Sequence, residues 1–192
     1  MTQSDRLLAS TPERYTIFAQ VLHWVIALLL CLQFILAWTM PDIGRGTVPE
    51  RLINLHLSFG LLIIVVMALR LLWRVTHAVP APPAGVPAWQ AKSASLAHAA
   101  LYVLLFVVPL LGWINASYRG WTVEFFGLFP LPALVAARGP ANTGAILGPW
   151  SGDVHIWLSY ALLTAIGLHV LGALYHRFIL RDDVLGRMVP GA

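Results

Sequence analysis

Four runs without a single charged residue divide this chain: Ile17–Met40, Leu52–Leu69, Leu96–Tyr118 and Val154–His176. Each holds at least 18 residues, the length at which an apolar stretch becomes a candidate membrane span. The expected fold class is therefore an all-α integral membrane protein, a four-transmembrane-helix bundle. Charged residues make up 10% of the 192 positions, far below the roughly 25% of soluble domains.

The spans are expected at about 17–40, 52–74, 96–118 and 154–177, because Arg70 and Arg74 can snorkel from the end of the second. They define a transmembrane domain over 15–179, a polar segment 1–14 before it and a short basic tail 180–192 after it. Thr11-Pro12-Glu13 is expected to start the first helix. Pro80-Ala81-Pro82-Pro83 and Pro87 break the chain between spans two and three, and Pro109 should bend the third. The longest connection, 119–153, carries Trp121, Phe125, Phe126, Phe129 and Trp150, and is expected to fold over one mouth of the bundle or dip into the interface. The first run is too long for a secretory leader and no small-residue cleavage site follows it, so a cleaved signal peptide is not expected.

Four spans put both termini on one side. That side collects eight cations: Arg6, Arg14, Arg70, Arg74, Lys92, Arg177, Arg181 and Arg187. The opposite side has four, namely Arg45, Arg51, Arg119 and Arg138. By the positive-inside rule the termini are cytoplasmic, and the chain is expected to be multi-pass in a bacterial inner membrane. The asymmetry accounts for the net charge of +4, so membrane lipid is the expected surroundings and nucleic acid is not an expected partner.

An ionisable side chain inside a span is expensive and is a functional hypothesis by default. His155 and His169 lie 14 residues apart in the last run. That spacing turns about 1400°, about 40° short of four whole turns, and rises roughly 21 Å. One face of one helix thus carries an imidazole near each edge of the bilayer. His23 in the first run matches the depth of His169, and His56 in the second matches His155. Zinc usually takes four ligands, or three with an open position. Here each level offers two nitrogens and no carboxylate. Two trans imidazoles leave a square plane that a porphyrin fills. The single cysteine, Cys31, excludes a Cys-x-x-Cys-His attachment, so the expected cofactors are two non-covalent haem b groups. Gly60, Gly172 and Ser159, three or four residues beyond a histidine, would leave helix faces bare for a flat macrocycle, although close helix packing uses small residues equally well. His98 and His176 fall at the inner level or just below it, beside Arg70, Arg74 and Arg177. They are candidates for propionate or quinone contacts, whereas His77 is expected to be a solvated surface residue.

The order and spacing of several short motifs resemble the prokaryotic cytochrome b561 family. They are Arg14-Tyr15 with His23-Trp24, Asn54-Leu55-His56 with Gly60, and Arg70-Leu71-Leu72-Trp73-Arg74. Further along come His98 with Tyr102, Pro109 and Gly112, then Tyr118-Arg119-Gly120, Gly167-Leu168-His169 and Arg187-Met188-Val189-Pro190. The resemblance implies that His23 and His169 hold an inner haem and His56 and His155 an outer one. It also implies Arg119 near the outer haem and His176 near a quinone. The function so implied is transmembrane electron transfer from a periplasmic donor such as superoxide to ubiquinone, an oxidoreductase activity. A cytochrome subunit fed by a partner dehydrogenase is the alternative, and a metal-ion transporter with a histidine relay is a remote one. In the first reading Arg45, Arg51, Arg119 and Arg138 steer the anion to the outer surface, and inner cations raise the inner potential and favour inward flow.

Overall fold

A computed structural model describes residues 14–44, 46–81, 87–139 and 147–190. Thr11-Pro12-Glu13, Arg6, Arg45, Pro82 and Pro83 lie outside the described residues. Four helices cross the molecule: α1 (Ile17–Thr39), α2 (Arg51–Thr76), α3 (Ala88–Tyr118) and α4 (Gly148–Tyr175). A five-residue π-helical turn, His176–Leu180, continues α4, and a 3-10 turn follows at Gly186–Met188. All four are long and apolar enough to cross a membrane. The shortest, at 23 residues, is about 35 Å long, enough for a hydrocarbon layer of about 30 Å.

Helix ends differ from the charge-free runs, most clearly in α3 and α4. The third helix starts at Ala88, eight residues before the expected edge, and the fourth starts at Gly148, six before it. Lys92 and Asp153 bound the apolar runs but not the helices, because a charged side chain on a turn beyond the hydrocarbon does not oppose helix formation. The long outer connection is shortened accordingly. Local chemistry fixes the other ends. Thr16 caps α1, its Oγ1 accepting from Ala19 N at 3.3 Å. Pro87 stands just before α3, where a missing N–H costs nothing.

The helices pack in chain order, α1 on α2, α2 on α3 and α3 along α4. Leu22, Ile26, Leu29, Ile63, Val66, Met67, Leu105, Val108 and Leu162 form the main buried cluster. Leu162 lies seven residues from both His155 and His169, so this apolar layer separates the two histidine levels. Outward-facing Leu28 (71% exposed) and Trp157 (73% exposed) belong to a surface that lipid covers.

Each end of the bundle is closed by chain segments; the end that carries the segments next to both termini is called inner, and the other outer. Over the outer end, Trp121 Nε1 donates to Thr47 O at 3.1 Å, and buried Val123 packs with Leu61 and Ala116. Ser58 Oγ donates to Glu124 O and accepts from Phe126 N, both at 3.0 Å. A turn with Phe126 and Gly127 at positive φ makes this fold-back possible. At the inner end the tail returns to α1. Gln20 Nε2 donates to Tyr15 O and Arg187 O, and Trp24 Nε1 donates to Met188 O at 2.9 Å. Arg187 also reaches Ala81 O at 2.7 Å, so the α2–α3 connection lies on the same side of the bundle as the segments flanking both termini.

Candidate functional site

The structure brings the histidines together in the pairs that spacing suggests. His23 of α1 faces His169 of α4 with ring centres 6.2 Å apart, and His56 of α2 faces His155 of α4 at the same 6.2 Å. Two imidazoles bound on opposite sides of one metal, at about 2 Å per bond plus about 1.1 Å from nitrogen to ring centre, have centres about 6.2 Å apart. Direct contact between rings does not require that value, and its repetition at two levels points to one coordination geometry used twice. The planes within each pair are steeply inclined, by 64° and 81°.

The outer level is held from behind. His155 Nδ1 bonds to Val108 O at 2.8 Å. A carbonyl only accepts, so Nδ1 carries the proton and Nε2 keeps its lone pair free for a metal. That carbonyl belongs to the residue before Pro109, whereas the carbonyl that the proline leaves without its helical donor is that of Leu105, four residues before it. Gly112 makes the approach possible, because a Cβ there would lie 3.2 Å from His155 Cε1 and 3.3 Å from Nδ1. Gly60 serves similarly beside Gln33, whose Nε2 would be 3.3 Å from an added Cβ and donates to His56 O. Ser159 Oγ donates to His155 O at 2.7 Å, while Gly172 has open space around it.

An open cleft lies at this level, bounded by Gln33, His56, Gly60, Gly112, Trp113 and His155. Three buried polar atoms on its lining residues, Gln33 Oε1, His56 Nδ1 and Trp113 Nε1, have no hydrogen-bond partner. Buried polar atoms are rarely left so unless another group belongs beside them. Paired nitrogens, glycine-bared walls and unsatisfied polar atoms fit a bis-imidazole haem. Sequence reasoning passed over Gln33 and Trp113, although a glutamine inside an apolar run is itself a signal.

The inner level is more open. His98 of α3 stands edge-on to His169 with centres 5.2 Å apart, and its Nδ1 bonds to Ala94 O at 2.7 Å. Arg70 does not snorkel away; its Nη1 donates to Ala19 O at 2.8 Å, one turn from His23. The Arg74 guanidinium lies over the Tyr102 ring at 5.7 Å. Both arginines line an open cavity of about 340 Å³ with Tyr15, Thr16, Trp73 and His77, and His77 is exposed and stacked on Trp73 at 3.6 Å. His176 turns toward the tail, where its Nδ1 meets Asp182 Oδ2 at 2.6 Å. The π turn and the left-handed Arg181 (φ 54°) bring Asp182 back to it, a folding of the backbone that apolar periodicity does not signal. At the outer end Arg119 is engaged with protein atoms, donating to Asn115 Oδ1 and Gly44 O, each at 2.8 Å, with its guanidinium over Trp121.

A sequence profile described as prokaryotic cytochrome b561 matches residues 14–191. The chain belongs to that family. It is 31% identical over 185 residues to cytochrome b561 homolog 2 of Escherichia coli K12, covering 94% of this chain and 93% of that one. It is also similar to a Yersinia pestis protein named "Probable superoxide oxidase CybB", at 30% identity over 93% of this chain and 97% of the other. Cytochrome b561 homolog 1 of Escherichia coli K12 is 29% identical over 171 residues. Membership of the cytochrome b561 family carries b-type haem binding and membrane electron transfer. It also places this four-span chain in the bacterial inner membrane.

Proposed function

We propose that this protein is a di-haem b-type cytochrome that carries electrons across the inner membrane, with both termini cytoplasmic. His23 and His169 would hold the inner haem, and His56 and His155 the outer. The observation that carries this reading is the recurrence of one 6.2 Å imidazole separation at two depths of α4. Bound haem supplies one-electron redox chemistry at each level. The chain's own groups do the rest. Two histidines would hold each haem and would leave its iron no open position for another ligand. The Val108 carbonyl fixes the His155 tautomer, and the apolar layer around Leu162 keeps water from between the two levels.

The donor is an oxygen-derived anion at the periplasmic face and the acceptor is a quinone at the cytoplasmic face. The name of the Yersinia pestis relative supports the donor, and outer arginines Arg51, Arg119 and Arg138 give that face a field attracting anions. His176, backed by Asp182 at the inner end, is the group placed to hydrogen-bond a quinone oxygen. Mixing superoxide with the oxidised, purified protein should reduce the haems rapidly, at a rate that falls with ionic strength. No reduction by superoxide, together with reduction by a co-purifying dehydrogenase, would replace this donor with a protein partner.

A further inference from the structure

Ligand histidines are normally held by a second hydrogen bond on the ring nitrogen away from the metal, which fixes the ring and raises its basicity. His155 has one, from Nδ1 to Val108 O. His169 has no hydrogen bond to protein among the described residues, and the group against it is another imidazole, that of His98. Two features of His98 decide what it can do. Its Nδ1 donates to Ala94 O at 2.7 Å, which commits the ring proton to Nδ1 and leaves Nε2 as an acceptor. Its ring centre lies 5.2 Å from that of His169, at an interplanar angle of 76°. A nitrogen-to-nitrogen hydrogen bond of about 2.9 Å, with about 1.1 Å from each nitrogen to its ring centre, spans about 5.1 Å. The ring centres are therefore as close as such a bond requires, and not 6.2 Å apart like the two facing pairs, although no nitrogen of His98 meets one of His169 in hydrogen-bonding geometry in this structure.

We infer that His98 is the positioning residue of the inner haem site, accepting a hydrogen bond from the metal-remote N–H of His169 once a metal holds that ring. The inference rests on the ligand assignment proposed above. The inner ligand is then backed by a side chain and the outer one by a backbone carbonyl, so substitution can change the inner contact alone. An acceptor on that N–H gives the ligand more anionic character, which favours ferric iron and lowers the inner potential. This opposes the rise caused by nearby Arg70. His98 thereby sets part of the difference in potential between the two levels without touching either iron.

The test uses the full-length haem-loaded protein in detergent, with haem stoichiometry and a potentiometric titration of both haems in wild type, His98→Leu and His98→Gln. Leucine removes the acceptor, whereas glutamine can restore one through Oε1. The expected result is a raised inner potential in His98→Leu, an unmoved outer potential, and a His98→Gln value nearer to wild type. Should His98→Leu lose the inner haem while His98→Gln keeps it at nearly the wild-type potential, the inference also stands. Both haems retained at wild-type potentials in His98→Leu would overturn it, as would equal shifts in the two variants. The underlying ligand assignment has its own test: if His169→Ala keeps two haems at wild-type potentials, that assignment is wrong whatever His98 does.

Discussion

Gly112→Ala should loosen the outer haem while leaving the bundle assembled. The added Cβ would stand 3.2–3.3 Å from the His155 ring, closer than such contacts normally come. The ring cannot retreat cheaply, since Nδ1 is tied to Val108 O at 2.8 Å and Nε2 is the proposed iron ligand. One of the two bonds has to lengthen. Losing a hydrogen-bond partner behind a ligand typically weakens metal binding by about 10–100-fold, which is about 1.4–2.8 kcal/mol. Overpacking adds about 1–3 kcal/mol in the same direction. Alanine suits a helix interior better than glycine by about 1 kcal/mol, so the damage belongs to the ligand site and not to α3. The assay is the haem-to-protein ratio after dilution and repeated detergent washing, with a redox titration to show which component is lost. Gly139→Ala, in open space, is the control. Full occupancy and an unchanged outer potential in both Gly112→Ala and Gly112→Val would refute the claim that the glycine makes room for a fixed ligand.

Ring orientation carries a spectroscopic expectation. With imidazole planes inclined by 64° and 81°, both ferric sites should give strongly anisotropic low-spin EPR signals. A rhombic spectrum from both sites would mean that the rings lie nearly parallel. Asp182→Asn should slow reoxidation of the reduced protein by a soluble quinone, which takes up protons, and leave reoxidation by ferricyanide, which takes only electrons, unchanged. Equal effects on the two oxidants would confine the His176–Asp182 contact to a structural role. Val108 contributes only its carbonyl to His155, so Val108→Leu should spare haem content and the outer potential; a loss comparable to that of Gly112→Ala would show that side-chain packing holds the ring.

How much of this was legible in the residues depends on distance along the chain. The four spans follow from the cost of charge in hydrocarbon, and the apolar runs carry them plainly. Their helical extensions do not show, because Lys92 and Asp153 sit on turns that water or headgroups surround. Which histidines meet is helical arithmetic on α4 plus depth matching on α1 and α2. The contacts behind them were beyond that arithmetic. His155 finds Val108 O only because α3 is rotated to present the carbonyl before Pro109, and Gly112 matters only in that rotation. Likewise His98 could be placed at the inner level from its position, but its closeness to His169 comes from the packing of α3 along α4. Asp182 was hidden for a different reason: six residues beyond His176, it would point elsewhere on a regular helix. The π turn and the left-handed Arg181 bring it back. Arg119 was expected near the outer haem and in the outer field that steers an anion; its engagement with Asn115, Gly44 and Trp121 depends on contacts that the sequence does not show.

Four imidazoles holding two irons, one pair at each depth, fix how much haem b each chain can bind. Haem b per chain is to be quantified in purified wild type and in His169→Ala, with a dithionite-reduced spectrum of each. Two haems are expected in the wild type and one in the variant, the survivor being the outer haem with its own potential intact. Two haems retained in His169→Ala, or a wild-type protein that binds none when haem is supplied during expression, would contradict this ligand assignment.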